Sequence, residues 1–308
     1  MSKLHICNTF FESELESSLK SPLERWFYVN PIVTQLQFLP LLYAQPEDRI
    51  LVTELPLNPD PRLVLLKSPP KDVTIEHWGP SQAIERWAKK HTLSYSASDW
   101  EKVRTMNSKI FSFTHSPKLP GATFLETERE VEEWIEKTPG PKVLKTAYGT
   151  AGKGHLFPPV KRPYPLPLIG EPWVQKTQDF SSQWENGKLL GITLFATNAR
   201  GMYQRTYVGD IEFWAIEEHL HYAKALVQKI QHMGYAGPLG IDAFLYQSHG
   251  KIKVHPVVEI NARKTMSWIA LQISTKTLTF SKNEEGLLPK RLGCITFRKN
   301  ISLCQKIS

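Results

Sequence analysis

The stretch His255–Met266, "HPVVEINARKTM", decides how the rest of the chain is read. An apolar run, Pro256-Val257-Val258, gives way to Glu259, Asn261 and Arg263 at alternate positions. Successive strand side chains point to opposite faces, so the three polar groups line one face. A solvated sheet face accounts for such a pattern. So does a site where a carboxylate, a carboxamide and a guanidinium hold a metal ion and a phosphate.

The flanking sequence narrows the choice. "GPLGIDAFLY" (237–246) and "KIKVHPVVEIN" (251–261) are two strand patterns joined by "QSHGK", a hairpin signal. Antiparallel pairing brings Asp242 alongside Glu259 and Asn261. Two carboxylates and an amide oxygen are hard ligands suited to magnesium bridged to phosphates. Neighbouring carboxylates repel unless a cation lies between them. Upstream, Ile216, Leu220, Ala223, Val227 and Ile230 recur at helical spacing, and Gly234 is placed to end the helix. His219 and His221 on that helix are two apart and face different ways, so they are expected on its solvated face.

A second candidate is "KTAYGTAGKGH" (145–155), which follows the short strand "KVLK". Gly149, Gly152 and Gly154 let backbone amides approach an anion closely. The order is G-x-x-G-x-G, which matches neither the Walker loop nor the dinucleotide fingerprint. A surface turn accounts for this loop equally well.

The remaining sequence alternates strands and helices, which indicates an α/β organisation. "RILVTEL" (49–55) and "RLVLLK" (62–67) are strand patterns, and "GPSQAIERWAKKH" (79–91) is a helix opening at Pro80 or Ser81. "SDWE" predicts a capping box at Ser98, with a helix running through "KVRTMNSKIF". "TEREVEEWIEK" (127–137) carries the same signature at Thr127 and Glu130. Six prolines between 157 and 172 exclude a helix interior. Trp26, Phe27, Tyr28 and Trp78 are expected in the core, and Arg205 at the surface.

Composition sets limits. A chain of 308 residues with 41% hydrophobic content can bury a substantial core. No apolar stretch is long enough to span a bilayer, and the N-terminus lacks a signal-peptide core, so a cytoplasmic location and no membrane partner are expected. Three scattered cysteines form no C-x-x-C pair, which argues against a disulfide framework or a zinc site. Of the net charge of +8, residues 276–308 contribute much, with seven Lys/Arg against two Glu. That segment is expected to be a basic C-terminal tail, and without aromatic-basic interleaving no nucleic-acid partner is expected.

The order of "NSK", "VLKTAYGTAGKGH", "GIDAF" and "VVEINAR" resembles the ATP-grasp superfamily over about residues 106–273. The resemblance implies an α/β (α+β) chain whose ATP-grasp domain, 106–275, has a lid-bearing half (106–172) and a metal-site half (173–275). A smaller N-terminal α/β domain, 1–105, precedes it. It further implies Lys109 and Lys145 on the nucleotide phosphates and Gly149, Gly152 and Gly154 in the lid. Gln175 and Lys176 would lie on the adenine strand. Asp242, Glu259 and Asn261 would be Mg2+ (or Mn2+) ligands, with Arg263 facing the transferred phosphate. The implied activity is an ATP- and Mg-dependent ligase that activates a carboxylate as an acyl phosphate for an amine. A non-catalytic ATP-binding regulatory or scaffold protein is the alternative. The proline-rich segment after the loop and the final "LPKRLGCITFRKNISLCQKIS" depart from the family pattern.

Overall fold

A computed structural model describes residues 2–17, 20–96, 98–149, 154–199, 201–273, 277–285, 288 and 292–298. The chain begins with β1 (Lys3–Ile6), α1 (Phe11–Glu16), α2 (Leu23–Phe27), α3 (Pro31–Leu36), β2 (Arg49–Val52), β3 (Leu63–Leu65), β4 (Thr74–His77) and α4 (Gln82–Lys90). There follow α5 (Trp100–Met106), α6 (Lys109–His115), β5 (Thr123–Leu125), α7 (Glu128–Lys137), β6 (Lys142–Thr146), β7 (His155–Leu156) and β8 (Leu168–Pro172). Then come β9 (Lys176–Glu185), β10 (Lys188–Thr197), β11 (Tyr203–Tyr207), α8 (Ala215–His232), β12 (Leu239–Ser248) and β13 (Lys251–Asn261). The last elements are α9 (Met266–Gln272), β14 (Thr277–Glu285) and β15 (Leu292–Arg298). Two compact units result: 1–103 with 205–207 and 263–308, and 104–204 with 208–262.

In the first unit, β1–β4 form a parallel sheet in the order β3-β2-β1-β4. One face buries Leu4, Ile6, Phe10, Phe27, Ile84 and Trp87. The other face combines an apolar cluster of Phe38, Ile50, Val52 and Leu63 with ionic groups: His5 meets Asp48 at 3.0 Å, and Glu76 pairs with both Lys3 and Lys264. Lys264 is only 2% exposed, and the rings of Tyr43 and Trp268 flank its ammonium. Burial opposes ionisation of Glu76, but Lys264, Lys3 and His5 outweigh it and pull the carboxyl down to about 2. β14 pairs with β15 and with the end of β11, so strands occupy much of the stretch expected to be a basic tail. Tyr28 departs from the expected core and is 46% exposed, whereas Trp26, Phe27 and Trp78 are buried.

In the second unit, an antiparallel sheet β5-β8-β6-β7 packs α7 over Leu125, Leu144 and Leu168. Both halves of the Thr127/Glu130 capping box are formed. α5, whose first residues belong to the first unit, instead takes Asp99 as its cap, accepting from the Glu101 and Lys102 amides, and it stops at Met106. Ser108 restarts the chain as α6, so the expected single helix is two.

The second sheet of this unit runs β13-β12-β9-β10. The β12–β13 turn is made by His249 and Gly250, both left-handed, which suits a tight hairpin. From the turn the ladder runs evenly to Phe244 opposite His255. Extended unchanged, that register would set Val257 opposite Asp242. The ladder shifts instead, and Asp242 faces Glu259 while Gly240 faces Asn261. β12 stays in continuous register with β9 across the same residues, so the extra length is a bulge on β13 around Pro256–Val258. Proline lacks a ladder donor, and an edge-strand bulge is where a sheet tolerates it.

Candidate functional site

Three side chains converge across the β12–β13 pair. Asp242 lies directly opposite Glu259, and the Asn261 Nδ2 donates to Asp242 Oδ2 at 3.1 Å. β13 ends at Asn261, so Arg263 lies beyond the strand that was expected to carry it. The outer edge of β13 is not left open: Ile260 N donates to Ser112 Oγ at 3.2 Å and Ala262 N to Asn107 Oδ1 at 2.8 Å. These bonds fix the α5–α6 junction beside the acidic residues, because an unpaired buried amide is costly.

Lys109 opens α6 at that junction and is 6% exposed. Its backbone N–H donates to Ala147 O at 2.8 Å, and its Nζ donates to Gly149 O at 2.9 Å and to Glu259 Oε1 at 3.0 Å. One ammonium therefore touches both the glycine-rich loop and the acidic strand. Gly149 and Gly154 both have positive φ. A Cβ on Gly154 would collide with Thr146 Oγ1 and the Tyr148 carbonyl, so only glycine fits there. Gly152 lies outside the described residues.

Lys145 on β6 is buried and pairs with Glu171 on β8 at 2.5 Å. Burial pushes the Glu171 carboxyl up, but the charge and hydrogen bond of Lys145 outweigh it and hold the group below its ordinary range. Glu171 was not among the expected site residues, although an acid ending the apolar "LPLIGEP" was a visible signal. Two histidines border this pair. Burial, then the charges of Lys145 and Lys109, pull His155 down to about 4. Burial, partly opposed by Glu171, pulls His255 to about 4. The rings of His155, Phe157 and Trp173 form a mutually edge-on cluster.

The adenine-strand candidates are less enclosed. Gln175 is exposed, and its carbonyl accepts from Gln247 N at 3.0 Å. Lys176 Nζ binds Asp179 at 2.9 Å and lies over the Phe244 ring at 4.5 Å. In the first unit, the Arg263 guanidinium is engaged by Glu12 and also donates to Lys264 O at 2.9 Å. The structure thus brings Lys109, Gly149, Asp242, Glu259 and Asn261 together, and holds Lys145 on Glu171. Arg205 is exposed, as expected, whereas His219 is 0% exposed and departs from the solvated face assigned to it.

The donor set suits a hard divalent cation. Asp242, Glu259 and the Asn261 amide offer oxygens across adjacent strands, and an ammonium already serves as counter-charge to Glu259. Among the described residues no three His, Cys, Asp or Glu side chains cluster as a site of another kind. No helix among them is long and apolar enough to cross a membrane.

No family model matches the sequence, and no curated protein matches it. Solved structures do. The ADP complex of an N5-carboxyaminoimidazole ribonucleotide synthetase superposes with a TM-score of 0.54 at 13% identity, covering 97% of this chain and 93% of that one. A putative ATP-grasp superfamily protein from Archaeoglobus fulgidus gives 0.52 at 14% identity, covering 98% and 100%. The N5-carboxyaminoimidazole synthetase from Staphylococcus aureus gives 0.52 at 10% identity, covering 97% and 94%. At such identities the likeness is one of fold. This chain has the ATP-grasp fold.

Proposed function

We propose that the protein is an ATP- and Mg-dependent ligase that joins a carboxylic acid to an amine through an acyl phosphate. The observation that carries this reading is the convergence of Asp242, Glu259 and Asn261 beside the buried Lys109. The fold shared with the ADP-bound synthetase supports it. A divalent cation held by the three oxygen ligands would neutralise phosphate charge.

The chain's own residues supply the rest. Lys109 and Lys145 would supply ammonium groups to the nucleotide phosphates; without nucleotide each is balanced by an internal carboxylate. A substrate carboxylate oxygen attacks the γ-phosphorus, the bond to ADP breaks, and an acyl phosphate forms. Alignment and charge neutralisation are the main demands of that step. The amine nitrogen then bonds to the acyl carbon, inorganic phosphate leaves and a proton passes to solvent. The family resemblance gives oxyanion stabilisation to Arg263, which in the first unit is engaged by Glu12. The glycine-rich loop would exclude water that otherwise hydrolyses the intermediate.

The test is acid-dependent release of ADP and phosphate across a panel of carboxylates and amines. Glu259→Gln keeps the side-chain shape and removes a charge, and is expected to lower turnover by on the order of a hundredfold or more. Full turnover in that variant would remove Glu259 from the site. A second reading, nucleotide binding without catalysis, is favoured by the carboxylates already occupying Lys109, Lys145 and Arg263. It predicts ATP binding by calorimetry with no turnover for any acceptor.

A further inference from the structure

The histidine on the buried face of α8 does something the proposed chemistry does not use. His219 Nδ1 lies 2.6 Å from Pro256 O, and its Nε2 lies 2.8 Å from Ser182 Oγ. A carbonyl only accepts, so Nδ1 carries a proton, and in the neutral ring Nε2 is then the acceptor. Ser182 must then donate its hydroxyl to Nε2, and its oxygen in turn accepts from Trp184 Nε1 at 2.8 Å. Every donor in this chain finds one acceptor with a neutral imidazole. Burial, the main influence on the ring, lowers its pKa and favours that neutral form.

The acceptor at the end of this relay is the first residue of the β13 bulge. Pro256 O cannot serve an even ladder there, because β12 and β13 are out of step between Phe244 and Asp242. Pro256 is buried, and a buried carbonyl without a partner would penalise the bulge. His219 removes that penalty, and it does so from α8 while Ser182 anchors it to β9 in the centre of the sheet. Without the bulge, the turn-set register would put Val257, not Glu259, opposite Asp242.

We propose that His219 is a positioning residue for the cation site, bracing the Pro256 carbonyl so that the bulge keeps Glu259 opposite Asp242. The inference rests on Asp242, Glu259 and Asn261 being cation ligands, as above. The brace bonds to Pro256 and Ser182 and not to the proposed ligands themselves. Its loss therefore changes where Glu259 stands, and not what Glu259 is.

Mn2+ titration of the full chain, read by electron paramagnetic resonance with a nonhydrolysable ATP analogue, separates the possibilities. His219→Phe keeps ring volume and abolishes both hydrogen bonds. It is expected to weaken Mn2+ binding about 10-fold or more, the usual scale for residues that orient ligands. Affinity for the analogue without metal should stay within about twofold. His219→Gln, whose amide can donate to Pro256 and accept from Ser182, should recover most of the loss. Ser182→Ala loosens the brace from its other end and serves if His219→Phe does not fold; a several-fold weakening is expected. Amide exchange over Val257–Asn261 should quicken in the weakened variants. Wild-type Mn2+ affinity in both His219→Phe and Ser182→Ala, with binding lost in Glu259→Gln, would overturn the brace and leave the metal assignment standing. Unchanged binding in Glu259→Gln as well would overturn the metal assignment, and the brace with it.

Discussion

A buried ammonium needs a partner, and Lys145 has one in Glu171, each side chain about 10% exposed. Replacing Lys145 with Met strands a carboxylate in the interior, which is expected to destabilise the protein by ~3–5 kcal/mol. The sign of the pH effect follows from the same pair. Without Lys145, burial is the leading influence on Glu171 and raises its folded pKa, so the variant should recover part of the loss as pH falls from 7.5 to 5. Lys145→Met with Glu171→Met should recover most of it at any pH, because two apolar groups leave no unpaired charge. Urea unfolding of the three proteins at both pH values checks this. A single variant as stable as wild type at pH 7.5 would mean the pair is more solvated than it stands here. At this scale the meeting of Asp242 with Glu259 and Asn261 was legible from the hairpin pattern, whereas Lys109 was reached only through the resemblance in motif order. His219 was not: a histidine in a helix stripe has no sequence mark that tells a buried brace from a solvated ring, and the tertiary neighbours Ser182 and Pro256 decide it.

Elements follow from local chemistry more closely than from pattern in one respect. Caps at Ser81, Thr127 and Ser108 each accept an amide from the first turn, and each was set by a residue type that favours that role. β9 includes "QDFSSQWE" (178–185), a stretch without apolar alternation. The strand is central and its polar side chains are buried, yet they satisfy one another: Ser181 Oγ donates to Ile241 O at 3.1 Å and Gln183 Nε2 to Ser181 Oγ at 2.7 Å. Hydrogen bonds of that kind do not show in hydrophobic periodicity. Packing of β8 on α7 gives a sharper test. A Cβ on Gly170 would lie 2.7 Å from the Trp134 ring, whose Nε1 is tethered to Gly121 O at 3.1 Å. Gly170→Ala should therefore cost about 1–3 kcal/mol through overpacking, seen as a lower melting temperature with the fold retained. An unchanged melting temperature would show that Trp134 can retreat.

Over the whole molecule, each unit holds a histidine in neutral form, half-buried at His77 and buried at His255. His77 in the first unit and His255 in the second both fall from 6.5 to about 4, chiefly through burial. Between those values the unfolded chain binds more protons than the folded one. Stability is then complete above pH 6.5 and lost as pH drops toward 4, by at most about 3 kcal/mol for each histidine. The urea midpoint should fall steadily from pH 7 to 4.5, and His77→Gln should make that slope shallower. A flat profile would contradict the burial of both rings. The alternation of strand and helix patterns made the mixed α/β architecture legible. The second unit's hairpin was legible too, since the turn residues stand between two strand patterns. The two-residue shift inside that hairpin was not, because proline in an apolar run signals an interruption without saying how far the partner slides.

Lys109 has a last consequence on the proposed function. The carboxylate a metal would seek is already neutralised by the protein's own cation, which also clasps the carbonyl of Gly149. A metal arriving alone must evict that ammonium with nothing to offer it, and a bare triphosphate arriving alone must pull it away and leave Glu259 uncompensated. Arriving as a pair, each supplies what the other's entry removes. On that reading Lys109 ties the two arrivals to one another, and moving its ammonium would also release the Gly149 carbonyl.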